Sequence, residues 1–261
     1  MNLATQVNRF FGIAPVGGRR SRFEDADYLA MVCHEIGTPL SAIVGLSRLL
    51  CDTEYSPQKK MECAEMLRDS ADMLTGLMQN MLDASKMEAG MINLEQIDFN
   101  LAKLVREAVH IVAAKAKEKD LDLRVHFADA LPFQWLGDPL RIRQILLNLL
   151  TNAIKFTAKG HVAIYVNAQR DSSGCDQLCI TVVDTGVGIS ETAIEKIFDK
   201  YTQAHPSVSR NHGGTGLGLA ISQDLAHLMH GDITVKSWVG AGSHFIVTLP
   251  LQISPILLAA A

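Results

Sequence analysis

The sequence predicts an α+β protein: a helical hairpin that forms a dimeric four-helix bundle, followed by an α/β sandwich. Two patterns carry this. Between Phe23 and Gly90 the apolar residues recur at alternating three- and four-residue spacing, the rhythm of a coiled-coil seam. After about residue 97, helical stretches are interleaved with short runs of period two and bounded by glycines. Composition agrees: 261 residues, 48% hydrophobic and 20% charged with net charge −4, are enough for one large or two modest globular domains. The expected divisions are a basic leader (1–22), a helical domain (23–90), a sandwich domain (97–252) and a tail (253–261).

The leader carries Arg9, Arg19, Arg20 and Arg22 without an acid, and Phe10-Phe11 beside a Pro15/Gly17/Gly18 break. It reads either as a flexible end or as a short basic anchor for a partner or membrane surface. From Phe23 to Cys51 the expected seam is Leu29, Cys33, Ile36, Leu40, Ile43, Ser47 and Leu50. Ser56-Pro57 supplies an N-cap and a first-turn proline for a second helix, with seam Ala64, Leu67, Ala71, Leu74, Met78 and Met81. Two seamed helices joined by a short turn cannot bury both faces alone, and pairing with a second copy solves that. Ala89-Gly90 and Asn93 end the second helix.

Leu101–Lys119 reads as a helix, Leu121–Phe127 as a strand, and Asp138-Pro139 as the start of a helix to Thr157. Strands are expected at 162–168 and 178–183 around a polar hairpin, then a short helix from Ser190-Glu191 toward Phe198. Residues 200–212 are polar without apolar period and read as a mobile lid. A helix over 220–230 ends at Gly231, and strands 233–239 and 243–249 form a hairpin through Gly240-Ala-Gly242. The apolar tail is either a docked end or the stub of a linker.

Mild acidity argues against a nucleic-acid surface. Cys33, Cys51, Cys63, Cys175 and Cys179 are scattered and odd in number, as expected of reduced thiols in a cytoplasmic protein. Cys175 and Cys179 lack the histidines or second cysteine pair of a zinc site. No apolar run reaches the length of a membrane span, so any outside stimulus is expected to arrive through another protein or segment.

Three polar clusters then stand out. Gln144-Ile-Leu-Leu-Asn148-Leu-Leu-Thr-Asn152-Ala-Ile-Lys155-Phe156-Thr157 places two asparagines i,i+4 on one helix face. Asp184-Thr-Gly186-Val-Gly188-Ile189 puts a carboxylate at the end of a buried strand, suited to accept a purine amino proton. Gly213-Gly214-Thr215-Gly216-Leu217-Gly218 lets backbone N–H groups approach phosphate at a helix start. It is not a P-loop, because no Lys-Ser/Thr follows, and its spacing misses G-x-G-x-x-G.

These motifs, with Phe198-Asp-Lys-Tyr-Thr-Gln203 between the second and third, resemble the Bergerat-type ATPase module of sensor histidine kinases over roughly residues 97–250. The wider family includes gyrase-, Hsp90- and MutL-like ATPases. The upstream run His34-Glu35-Ile36-Gly37-Thr38-Pro39-Leu40 resembles the phospho-acceptor motif of the same kinases. His34 lies one position off the expected seam, and Pro39 deprives the Glu35 carbonyl of its helical partner, which is expected to bend the helix. Gly37 stands where the family usually carries Arg or Lys, at a cost of about 1 kcal/mol in helix propensity.

The resemblance implies a bacterial two-component histidine kinase, a homodimer using ATP and Mg²⁺. It implies that Asn148, Asn152, Lys155, Phe156, Asp184, Gly186 and Gly188 bind ATP together with Arg210, Gly214, Thr215, Gly216, Leu217 and Gly218, and that Asn152 holds Mg²⁺. His34 would be the phosphoryl acceptor, with Glu35 handling its second ring proton. Thr38 would orient water for dephosphorylation of the partner, or merely satisfy local backbone. The phosphoryl group would pass to an aspartate of a response regulator receiver domain on another chain. The rival reading is an ATP-gated dimeric scaffold or ATPase that never phosphorylates itself.

Overall fold

The computed structural model describes residues 22–52, 55–170, 174–200 and 216–254. The expected leader up to residue 21, most of the lid with Arg210, and Gly213, Gly214 and Thr215 lie outside the described residues. So do 255–261 of the expected tail, whereas Ile253 is in a strand. The chain divides into two compact units between Met91 and Ile92.

The first unit is an antiparallel pair of helices, α1 (Arg22–Leu50) and α2 (Pro57–Glu88). Ser56 caps α2 by accepting the Lys59 N–H at 3.4 Å, and Pro57 occupies its first turn. Gly90, at φ 63°, stops α2 in the left-handed conformation. α1 continues through Pro39. Among its described side chains the buried ones are Val32, Pro39 and Leu46, a heptad apart, and Ile36, Ile43 and Leu50 are half-buried. From Cys63 to Ala84 the buried or half-buried positions of α2 are Cys63, Leu67, Ser70, Ala71, Leu74, Leu77, Asn80, Met81, Asp83 and Ala84.

This seam differs from the expected one. Ile36, Ile43, Leu50, Leu67, Ala71, Leu74 and Met81 belong to both, Cys33, Leu40, Ser47, Ala64 and Met78 are exposed, and the Leu29 side chain lies outside the described residues. Each helix carries an apolar stripe wider than one seam, and the hairpin covers only part of it. Leu40 (47% exposed), Val44, Met66 and Met73 (60% exposed) are left on the uncovered part.

The second unit is a two-layer α/β domain. Its elements are β1 (Ile97–Asn100), α3 (Leu101–Glu118), β2 (Asp122–Phe127), β3 (Gln134–Gly137), α4 (Pro139–Phe156), β4 (His161–Arg170) and β5 (Asp176–Asp184). They continue with α5 (Glu191–Ile194), α6 (Gly218–Leu228), β6 (Asp232–Trp238), β7 (Gly242–Pro250) and β8 (Gln252–Ile253). The main sheet has the order β2-β4-β5-β7-β6, with β2 parallel to β4 and the other pairs antiparallel. A small sheet β1-β3-β8 was not expected from the sequence, because its strands are short and lack clear alternation.

The core comes from the inner faces of α3 (Leu104, Val105, Ala108, Val112), α4 (Ile142, Ile145, Leu146, Leu149, Leu150) and α6 (Ile221, Leu225). These meet Val162, Ile164, Val166, Leu178, Ile180, Val182, Val247 and Leu249 from one face of the main sheet. Asn100 caps α3 through the Lys103 N–H (2.8 Å), and Asp138 caps α4 through the Arg141 N–H (3.0 Å). The second oxygen of Asp138 accepts the Glu95 N–H, fixing the segment that enters the domain. No helix among the described residues is long and apolar enough to cross a membrane.

Candidate functional site

Asp184 ends β5, paired with Val162 of β4 on one side and Ser243 of β7 on the other. Its carboxyl is buried, at 5% exposure. Burial pushes its pKa above the usual carboxylate value. The N–H groups of Gly186 and Ser243, the Ser243 hydroxyl and the charge of His244 pull in the opposite direction. The Gly186 N–H donates to Oδ1 at 2.8 Å.

Two glycines in this turn are required sterically. A Cβ on Gly186 would lie 2.5 Å from the Phe156 carbonyl oxygen. Gly188 has φ +68°, and a Cβ there would lie 2.0 Å from the Trp238 carbonyl oxygen. The turn is therefore pressed between the end of α4 and the β6–β7 hairpin. The Val187 N–H reaches the Phe156 carbonyl at 3.4 Å, and the Gly240 N–H reaches the Val187 carbonyl at 2.8 Å.

The two asparagines of α4 have different surroundings. The Asn148 Nδ2 donates to Ser222 Oγ at 2.8 Å, joining α4 to α6. The side chain of Asn152, half-buried one turn further on, makes no hydrogen bond to any described residue. The Lys155 ammonium lies over the Phe156 ring, 4.9 Å from its centroid. The Lys119 ammonium donates to the Ile154 and Lys155 carbonyls at 2.8 and 2.9 Å. It thus caps the C-terminal end of the asparagine helix, where a cation suits both the free carbonyls and the helix dipole.

Gly218 opens α6. Ser56, Asn100 and Asp138 supply side-chain caps to α2, α3 and α4, but the N-cap of α6 is Leu217, which offers none. Among the described residues no N-cap side chain serves the first turn of α6, where the positive end of the helix lies. Leu217 is fully buried, and Gly216 has φ 64°.

The structure thus brings α4, the Asp184–Gly188 turn and the start of α6 together. In the other unit, Glu35 is half-buried, Thr38 exposed and Pro39 buried on α1. Sequence reasoning missed Lys119, Ser222, Ser237 and Ser243. Each acts on an element remote in sequence, and a single serine or lysine carries no local signal of that.

Residues 137–253 match the family described as histidine kinase-, DNA gyrase B-, and HSP90-like ATPase. Residues 25–90 match the His Kinase A (phospho-acceptor) domain. The chain carries the catalytic core of a histidine kinase. Among relatives of this kinase core, sensor histidine kinase GacS of Pseudomonas protegens is 40% identical over 226 residues, covering 87% of this chain and 24% of GacS. Signal transduction histidine-protein kinase BarA of Escherichia coli K12 is 38% identical over 230 residues, 88% of this chain and 25% of BarA. The kinase core therefore spans about a quarter of the length of these curated relatives.

Among solved structures, full-length ShkA in complex with AMPPNP matches with TM-score 0.64 and 29% identity, over 87% of this chain and 46% of ShkA. Acinetobacter baumannii AdeS, at 20% identity, shares the fold with TM-score 0.63 over 83% of this chain and 97% of that one. The residues 97–136, outside both family matches, belong to the same compact unit as the ATPase match and supply β2, the edge strand beside β4.

Proposed function

We propose that this kinase core binds ATP–Mg²⁺, phosphorylates its own His34 and passes the phosphoryl group to an aspartate on a separate receiver domain. The observation that carries the reading is the convergence of a buried carboxylate, an unengaged asparagine and a helix start without a side-chain cap, in a chain that also holds the His34 motif. Asp184 would accept the adenine amino proton. The first turn of α6, with Gly216, Leu217 and Gly218, would bind phosphate oxygens, and Gly214, Thr215 and Arg210 would extend that contact from the lid. Lys155 would balance phosphate charge, and Phe156 would border the base beside the Gly186–Gly188 turn.

Asn152 fits Mg²⁺, since its amide oxygen is a hard donor with no competing hydrogen bond among the described residues. When bound there, the ion would neutralise charge on the phosphates. Asn148 would act mainly by holding α6 against α4, through its bond to Ser222.

In the reaction, a neutral His34 ring nitrogen attacks the terminal phosphorus. The bond to the β,γ-bridging oxygen breaks and ADP leaves with its electron pair. Glu35, one residue along α1, takes the proton from the other ring nitrogen. Positioning and electrostatics supply the rate enhancement. The test is incubation with γ-labelled ATP: label should enter the protein in an acid-labile, base-stable form. ATP binding or hydrolysis without such label would make the chain a nucleotide-gated scaffold or ATPase instead.

The functional form would be a homodimer. The uncovered side chains Leu40 and Val44 on α1 support this, since they lie outside the hairpin's own seam. Leu40→Asp with Val44→Asp would place two carboxylates in a bundle core, at a cost on the order of several kcal/mol each. Sedimentation should then show a folded monomer where the parent is a dimer. A parent that is itself monomeric at micromolar concentration contradicts the assembly.

Thr38 would serve a reverse reaction, holding water in line with an aspartyl phosphate docked over His34. It stands four residues after His34 on α1, one turn along, and is exposed. Thr38→Ala should keep self-phosphorylation and forward transfer but slow loss of label from a phosphorylated receiver. Equal decay with parent, variant and no kinase would remove the phosphatase role.

A further inference from the structure

Two serines stand in line behind Asp184. Ser243 is the register partner of Asp184 across β5–β7, and Ser237 is the register partner of Ser243 across β6–β7. Ser243 Oγ reaches the Asp184 carboxyl and lies 2.9 Å from Ser237 Oγ. Ser237 Oγ is also 3.0 Å from the Gly242 carbonyl oxygen and receives the Ile189 N–H at 2.8 Å. A continuous row therefore runs from carboxyl through two hydroxyls to a carbonyl, with one end on the adenine turn at Ile189.

Counting hydrogens shows that this row has two unequal states. Three oxygen–oxygen contacts must be bridged, and the two hydroxyls supply two hydrogens. With Asp184 ionised, Ser243 donates to the carboxylate. Ser237 can then satisfy either Ser243 or Gly242 but not both. With Asp184 protonated, its O–H donates to Ser243, Ser243 to Ser237 and Ser237 to Gly242, so every contact is made. The row by itself is fully bonded only with a neutral carboxyl, a preference that burial shares and that the Gly186 and Ser243 N–H groups oppose, whereas an adenine amine needs an accepting carboxylate.

We propose that Ser237 and Ser243 form a hydroxyl relay that couples adenine binding to the protonation state of Asp184, with Ser237 a positioning residue acting through Ser243. This rests on the nucleotide reading of the pocket. ATP binding should weaken as pH falls. Titratable groups toward the Asp184 end of the elements packed around it include His161 on β4, His244 on β7, Lys236 on β6 and Lys155 on α4. His244, whose charge favours the ionised carboxyl, would oppose an acid loss of binding rather than cause it.

The relay predicts opposite shifts from two neighbouring serines. In Ser237→Ala the Ser243 hydrogen has only the carboxylate to serve, so the acid midpoint moves down by about half to one pH unit. In Ser243→Ala the carboxylate loses a donor, and the midpoint moves up by about the same amount. Calorimetry of ATP binding to the full chain across pH reads these midpoints. Carbon-13 NMR titration of the Asp184 carboxyl in the empty protein reads them where a variant binds too weakly. Divergent midpoints support the relay. Unchanged midpoints, or shifts in one direction for both variants, overturn it while ATP binding by the parent leaves the nucleotide site standing. A parent that binds no ATP at any pH overturns both.

Discussion

His34→Gln should abolish incorporation of label from γ-labelled ATP, a fall of at least about a thousand-fold, while ATP still binds. Glutamine keeps the helix, since its propensity is close to that of the best helix formers, but its amide nitrogen has no lone pair available to attack phosphorus. The substitution lies on α1, whereas the pocket residues lie in the other compact unit, so nucleotide affinity should match the parent. Circular dichroism and a binding isotherm would establish that fold and pocket survive. A variant that labels as strongly as the parent would place the acceptor elsewhere and remove the central role of the α1 motif.

Asp184→Asn should separate binding from stability. The carboxylate-to-adenine bond is charge-assisted, worth about 1.5–3 kcal/mol, so ATP affinity should fall roughly ten- to a hundred-fold. The stability of the empty protein should become less dependent on pH. Because the Asp184 pKa is raised in the folded state, its contribution is fully present below the unfolded pKa and is lost as pH rises through the folded value. Asparagine does not titrate and escapes that loss. The melting temperature of the variant should therefore rise relative to the parent as pH increases, then level off above the folded pKa. A variant equally destabilised at every pH, or one with parental ATP affinity, would contradict the assignment.

Local chemistry made much of the molecule legible in advance. Seam spacing announced α1 and α2, Ser56-Pro57 and Asp138-Pro139 marked helix starts, and the strand flanking Asp184 ended where its glycines began. These features depend on neighbours within a few residues, so the chain displays them before it folds. The hairpin seam was legible only in part. A stripe wide enough for two neighbours does not say which half meets the sister helix, and Leu40 and Met78 fell on the outer half.

What the sequence by itself determined is the chemical inventory: the His34 motif, the asparagine pair, the buried carboxylate and the glycine turns. Only the tertiary structure decided how that inventory is supported. Lys119 caps a helix whose end is 35 residues further on, Asn148 is tied to Ser222 at a separation of 74, and Ser243 reaches Asp184 through a strand pairing. Such contacts come from sheet register and helix packing, which depend on the whole set of buried faces at once. A lone serine or lysine looks the same in sequence whether it meets water or a buried carboxylate, because desolvation and hydrogen-bond supply exist only after the chain has closed around it.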